Sequence, residues 1–169
     1  MNRTAFFQTL GGLLLAGPLA QAAVRFSLPT MTELTDNKPP RRVVKTNADW
    51  KKILTADQYA VAREAGTERA GSWPLLHNKQ AGVYACICCK EPLFSSDTKF
   101  ESGTGWPSFY APLSKAAVKE KTDTAYGMSR TEVECAVCDA HLGHVFDDGP
   151  KPTGLRYCMN GVVLEFQKK

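Results

Sequence analysis

The cysteines of this 169-residue chain fall into two groups by spacing. Four of them form two C-x-x-C pairs, Cys86 with Cys89 and Cys135 with Cys138. Two such pairs can surround a tetrahedral ion with four thiolates. Zinc suits an all-sulfur set, being borderline-soft and indifferent to d-electron geometry. Four sulfurs leave no open coordination position, so one zinc per chain would hold the fold together and take no direct part in chemistry. The pairs stand 45 residues apart, counting from 90 to 134, farther than in a compact zinc ribbon, so the ion would join two distant loops. The competing reading is disulfides, which an exported chain can form. The repetition of C-x-x-C in an otherwise loosely spaced set speaks for the metal.

Cys158 stands apart, inside Gly154-Leu155-Arg156-Tyr157-Cys158-Met159-Asn160. In an extended segment Arg156 shares its face, and a neighbouring cation enriches the reactive thiolate. A buried core cysteine is the equal alternative on local sequence. His141 and His144, in His141-Leu142-Gly143-His144, are spare if four cysteines satisfy the metal. They could stabilise a thiolate or protonate an oxygen leaving group, or be a core residue and a loop residue. Cys88 lies inside the first C-x-x-C pair and reads as an inert neighbour of a metal ligand.

The elements that must position these groups are mostly strands. Alternating or apolar runs at 82–85, 118–122, 131–135, 142–146, 155–159 and 162–166 are broken by Gly, Pro, Asp and Ser. Asn160-Gly161 between the last two runs is a hairpin signal. Ahead of them sits a small helical unit. Asn47 can cap a first helix carrying Trp50, Ile53 and Leu54. Thr55 and Gln58 fit a capping box for a second, with Tyr59, Val61, Ala62 and Ala65 on its apolar face and Gly66 as its stop. The fold class expected is mainly β, with a small N-terminal helical unit on an antiparallel β domain.

The length allows one folded domain, and the composition is that of an ordinary globular protein: 43% hydrophobic, 22% charged, net charge +4. No run of Lys and Arg exceeds two, so no nucleic-acid partner is expected. Residues 1–22 read as a signal peptide. Arg3 precedes an apolar stretch from Phe6 to Leu19, and Ala20-Gln21-Ala22 offers small residues for cleavage after Ala22. The stretch is too short for a comfortable membrane span, so no stable anchor is expected. With one arginine, the choice between general secretion and twin-arginine export stays open. Residues 23–46, with Pro29, Pro39 and Pro40, read as a linker, leaving 47–169 as the folded domain. The compartment expected is the periplasm.

These residues come together in a resemblance to the methionine-R-sulfoxide reductase B family, over roughly residues 47–167. It rests on Ala65-Gly66-Thr67-Glu68, Gly82-Val83-Tyr84, Pro92-Leu93-Phe94-Ser95-Ser96, Lys99-Phe100-Glu101-Ser102-Gly103 and Gly105-Trp106-Pro107-Ser108-Phe109. It rests equally on Cys135 to Cys138, His141-Leu142-Gly143-His144-Val145-Phe146 with Asp148-Gly149-Pro150, and Gly154 to Asn160. The resemblance implies two antiparallel sheets in a tent-like arrangement, stapled by a four-cysteine zinc. It makes Cys158 the nucleophile and places His141, His144 and Asn160 in the polar active site. Trp106 becomes the aromatic wall that receives the substrate methyl group.

The implied reaction is thiolate attack on a sulfoxide sulfur, with a histidine protonating the departing oxygen. It gives methionine and a sulfenic acid on Cys158. The implied partners are oxidised proteins or peptides carrying methionine-R-sulfoxide, and a thioredoxin-like or other dithiol reductant, with the chain acting as a monomer. This sequence departs from the family at three places. Thr104 stands where many relatives carry a resolving cysteine, so an outside dithiol rather than Cys88 is expected to reduce the sulfenic acid. Met159 and Gly161 replace the more usual Ile and Ser around Asn160. The competing class, a non-enzymatic zinc-ribbon-like binding module, has the two C-x-x-C pairs in its favour but lacks a basic stripe with interleaved aromatics.

Overall fold

The computed structural model describes residues 41–169; the expected signal peptide and most of the expected linker lie outside the described residues. The first helix, α1, spans Asn47–Ile53. Its N-cap is Thr46, one residue earlier than expected, because Thr46 is extended and its hydroxyl accepts from the Asp49 N–H at 3.2 Å. Trp50 and Leu54 are buried, but Ile53 is 57% exposed. The helix ends at Ile53, and Leu54, already extended, turns back to the core in its place.

Helix α2, Ala56–Glu64, opens on the expected capping box. The Gln58 N–H donates to the Thr55 hydroxyl at 3.2 Å, and the Gln58 side chain accepts from the Thr55 N–H at 3.0 Å. Tyr59, Val61 and Ala62 are buried. The helix closes differently from expectation. Ala65, not Gly66, takes the left-handed conformation and is exposed, while the Gly66 N–H reaches back to the Ala60 carbonyl at 3.0 Å.

Nine strands follow: β1 Gly82–Cys86, β2 Pro92–Ser95, β3 Lys99–Phe100, β4 Ser108–Phe109, β5 Val118–Asp123, β6 Arg130–Cys135, β7 His141–Phe146, β8 Arg156–Met159 and β9 Leu164–Lys168. They form two antiparallel sheets, a three-stranded one in the order β2-β1-β9 and a six-stranded one in the order β3-β4-β8-β7-β6-β5. The mainly β class read from the sequence, and the two antiparallel sheets that the family resemblance implies, are observed.

The hairpin expected at Asn160-Gly161 does not form. β8 pairs with β4 and β7, whereas β9 pairs with β1 in the other sheet. A two-residue hairpin of the Asn-Gly kind needs a positive φ at both central residues. Asn160 sits at φ −72° and Gly161–Val163 form a 3-10 turn. This turn carries the chain from one sheet to the other.

The sheets meet over an aromatic core. Tyr84 and Phe94 come from the three-stranded sheet, Phe109 and Tyr157 from the six-stranded one. Phe94 stacks on Phe109 with centroids 4.5 Å apart, Tyr84 meets Phe109 at 5.1 Å, and Phe94 meets Tyr157 at 5.8 Å. Each such pair adds about 0.5–1.5 kcal/mol beyond area burial. Register then fixes the opposite face. Phe109 pairs with Tyr157 and Ser108 with Cys158. With side chains alternating along a strand, the aromatics point into the core and Cys158 points away from it.

Candidate active site and metal centre

The two C-x-x-C segments are equivalent turns at the ends of two hairpins. β1 ends on Cys86 and β6 on Cys135. In the first turn the Lys90 N–H donates to the Cys86 carbonyl at 2.8 Å. In the second the Asp139 N–H donates to the Cys135 carbonyl at 3.0 Å. Lys90 and Asp139 are both left-handed, at φ 63° and 56°. Because β1 and β6 belong to different sheets, the two turns bring four buried sulfurs together from both. All four lie within 4.8 Å of one another, with Cys86 to Cys138 at 3.8 Å and Cys89 to Cys135 at 3.6 Å. A tetrahedral ion with metal–sulfur bonds near 2.3 Å requires sulfurs about 3.8 Å apart. The four cysteines are therefore arranged to hold a metal ion. Arg41 donates to the Cys89 carbonyl at 2.9 Å and Arg63 to the Cys138 carbonyl at 2.8 Å; Arg42 pairs with Asp139.

Cys158 lies elsewhere. It is half-buried in β8 and opens into a pocket of about 140 Å³ that it lines with Trp106, Arg130, His144, Phe146 and Asn160. Cofactor pockets run to about 300–1,000 Å³, so this one suits the end of a side chain. Two larger cavities among the described residues, each about 480 Å³, contain neither cysteine nor histidine. Burial pushes the Cys158 thiol up, opposed by the Thr104 hydroxyl and then by the Arg156 charge. Arg156 is buried. Its Nε and Nη2 each bond Asp148 at 2.8 Å, and it lies over the Phe146 ring at 4.5 Å.

His144 is the cross-strand partner of Cys158, so their side chains share a face. Its Nε2 lies 2.9 Å from Asp123 Oδ2. The Asp123 carboxyl is held well below the usual range by the Ala125 N–H, His144 and Arg130. It is therefore ionised and acceptor-only, which puts the hydrogen on Nε2 and leaves Nδ1 as a lone pair. Burial pulls the His144 pKa down against the pull of Asp123, so the ring is neutral near pH 7. His141 does not line the pocket. It stands behind His144, ring centroids 5.5 Å apart, with its Nδ1 2.6 Å from the buried Glu132 carboxylate.

Asn160 is buried, and both the oxygen and the nitrogen of its side chain are hydrogen-bonded. Its Oδ1 accepts from the Glu68 N–H at 3.0 Å and its Nδ2 donates to the Leu142 carbonyl at 3.2 Å. Glu68 returns the contact. Its carboxylate accepts from the Gly161 and Val162 N–H groups at 2.7 and 2.8 Å, capping the 3-10 turn, and its carbonyl accepts from Trp106 Nε1 at 3.2 Å. Burial raises the Glu68 pKa against those two donors.

Sequence reasoning did not single out Glu68, Asp123, Glu132, Arg130, Ser102 or Ser108. Glu68, Ser102 and Ser108 sit within blocks quoted for the family resemblance. Asp123 and Glu132 carry no local signal, because they reach the histidines only through the β5–β6–β7 register.

A two-sheet fold with four cysteines arranged to hold a metal ion and one separate thiol in a small pocket defines the class. Residues 54–168 match the SelR domain family, and the chain belongs to that family. It is 56% identical to the peptide methionine sulfoxide reductase MsrB of Pseudomonas putida (strain W619) over 129 residues, covering 76% of this chain and 97% of that protein. It is 58% identical to the protein of the same name from Methanosarcina barkeri over 127 residues, covering 75% and 89%. To that of Leptospira interrogans it is 54% identical over 127 residues, covering 75% and 97%.

Proposed function

We propose that the protein reduces methionine-R-sulfoxide in proteins and peptides to methionine, with Cys158 as nucleophile. The observation that carries this reading is the shared pocket of Cys158, His144 and Trp106 in a chain of the SelR domain family. The neutral His144 takes the Cys158 proton on Nδ1, and the thiolate attacks the sulfoxide sulfur. The attack forms a bond between the two sulfurs, and the imidazolium returns its proton to the sulfoxide oxygen as the sulfur–oxygen bond breaks. The departing hydroxide then adds to the Cys158 sulfur as the sulfur–sulfur bond breaks, its electron pair returning to the substrate sulfur, so the products are the thioether and Cys158 sulfenic acid. Trp106 offers an apolar face for the substrate methyl group and for positive charge developing on sulfur. His141 supports His144 from behind, and Asn160 ties the Glu68 loop to β7.

Thr104 supplies no thiol, and Cys88 is buried beside Cys138 and Cys86 at the metal centre. The sulfenic acid is therefore reduced by an external dithiol of the thioredoxin kind. The metal is one structural zinc on Cys86, Cys89, Cys135 and Cys138. Four thiolates and a divalent ion sum to −2, which the adjoining Arg41 and Arg63, each bonded to a cysteine carbonyl, help to offset. Bound there, zinc supplies cross-linking between the sheets and no catalytic position. The segment 1–22 directs export to the periplasm, which mass spectrometry of the protein from its native cells tests: the mature chain should begin at Ala23.

The deciding experiment is turnover of each methionine sulfoxide epimer with dithiothreitol as donor. Wild type should reduce the R-epimer alone. Cys158→Ser should fall to background with its metal content unchanged, and full activity in that variant would overturn the proposal.

A further inference from the structure

We propose that Thr104 is a positioning residue, the terminal donor of a hydroxyl relay from Ser108 through Ser102 that eases ionisation of the Cys158 thiol. This rests on the reading of Cys158 as the nucleophile. It gives Thr104 a task of its own, beyond the absence of a cysteine at that position.

The relay is read from four contacts. The Ser108 hydroxyl donates to Ser102 Oγ at 2.7 Å, the Thr104 N–H reaches the same oxygen at 3.4 Å, Ser102 Oγ lies 2.8 Å from Thr104 Oγ1, and Thr104 Oγ1 lies 3.9 Å from Cys158 Sγ. A hydroxyl has one hydrogen to give and two lone pairs to fill. Ser108 is fully buried. Its other acceptors are the Trp106 carbonyl, more distant at 3.2 Å, and the Cys158 sulfur, on which it has less effect than Thr104, so its hydrogen goes to Ser102, the shortest contact. With two donors already on its oxygen, Ser102 must turn its own hydrogen outward, to Thr104. Thr104 then has its hydrogen left for the neighbouring sulfur. The direction of the chain thus follows from counting donors, and it ends on the one atom that gains an acceptor when it ionises.

Backbone fixes both ends. Ser108 is the cross-strand partner of Cys158 in the β4–β8 pair. Beyond Thr104, Gly105 is left-handed at φ +89°, and its carbonyl is held by the Gly71 N–H at 2.7 Å.

Ser108 and Arg156 also reach the Cys158 sulfur, each with a smaller effect than the Thr104 hydroxyl. Arg156 on the same strand spends Nε and Nη2 on Asp148. On the neighbouring strands, His144 of β7 and Arg130 of β6 both bond Asp123. Among the influences that oppose burial and lower the thiol's pKa, the Thr104 hydroxyl comes ahead of Arg156. A hydrogen bond to an ionised acceptor is about twice as strong as a neutral one, so the relay favours thiolate over thiol.

The test follows alkylation of Cys158 by iodoacetamide against pH in the metal-loaded protein, by mass spectrometry of the Cys158 peptide. Thr104→Val, which keeps shape and removes the hydroxyl, should raise the midpoint by about one pH unit, a roughly tenfold loss of thiolate at pH 7. Thr104→Ser should restore the wild-type midpoint. Ser102→Ala, which leaves the Thr104 hydroxyl in place but unaligned, should give a smaller rise. An unchanged midpoint in Thr104→Val, or a Thr104→Ser profile that follows Thr104→Val, overturns the relay. Because the readout is alkylation, it stands apart from the sulfoxide reaction: Cys158→Ser retaining activity would defeat the proposed function and leave these midpoints readable.

Discussion

His144 and Cys158 face each other directly across the β7–β8 pair, and the far nitrogen of His144 is anchored 2.9 Å from Asp123 at the end of β5. The carboxylate fixes the tautomer, and the tautomer leaves Nδ1 free for proton transfer. His144→Ala should therefore lower kcat about 10²- to 10⁴-fold, the range for loss of a general acid or base. Asp123→Asn should give a smaller loss, because the ring stays while its orientation relaxes. Zinc content should be unchanged in both, measured by elemental analysis; zinc lost from the histidine variant would make His144 a ligand.

Glu68 joins three parts of the site through its backbone and carboxylate. Glu68→Ala leaves the Gly161 and Val162 N–H groups without their acceptor, a cost of about 1–3 kcal/mol for an unsatisfied buried donor. Thermal denaturation should show a drop of several degrees, and KM for the sulfoxide should rise modestly, because the backbone of residue 68 that holds Trp106 and Asn160 loses its side-chain tie to the 3-10 turn. Glu68→Gln, which keeps one acceptor oxygen, should be milder on both counts.

A Cβ on Gly161 would lie 2.1 Å from Trp73 Cγ, so this chain has a close approach where the family pattern more often has serine. Gly161→Ser should destabilise by about 1–3 kcal/mol, as overpacking does. In a Trp73→Leu background the same substitution should cost less. A double-mutant cycle of denaturant midpoints checks this, and simple additivity would show that Trp73 is not the obstacle.

Asp148 supplies a pH test. The Arg156 guanidinium holds its carboxyl below the usual range. A depressed folded-state pKa contributes stability above the unfolded value of about 3.9, lost as pH falls through the folded value. Asp148→Asn should melt below wild type at pH 7, and the gap should close as pH drops below about 4. A gap that persists at pH 2 would mean the pair acts through packing alone.

Stripping the metal should loosen the molecule from both sheets at once. Structural zinc contributes on the order of 10 kcal/mol of binding energy that is also folding energy, so Tm should fall by more than about 10 °C. Cys135→Ser should behave like the stripped protein, with lost near-ultraviolet circular dichroism and increased binding of a hydrophobic dye. Cys158→Ser should show neither.

Local chemistry was legible in the residues themselves. The paired cysteines announced a tetrahedral centre, because two C-x-x-C turns create such a geometry wherever they meet. The capping box at Thr55 and Gln58, and most of the strands, followed from patterns spanning a few residues. What the sequence alone did not determine is which strand lies beside which. Asn160-Gly161 looked like a hairpin because that dipeptide favours one locally; the turn instead passes between sheets because Glu68, 93 residues from Gly161, caps it. The role of Thr104 was equally hidden, since Ser102, Ser108 and Cys158 come into line only through the register of β4 on β8. Hydrogen bonds and metal–sulfur bonds are short and directional, so the groups that serve Cys158 are selected by tertiary distance. Their order along the chain is compatible with many other pairings.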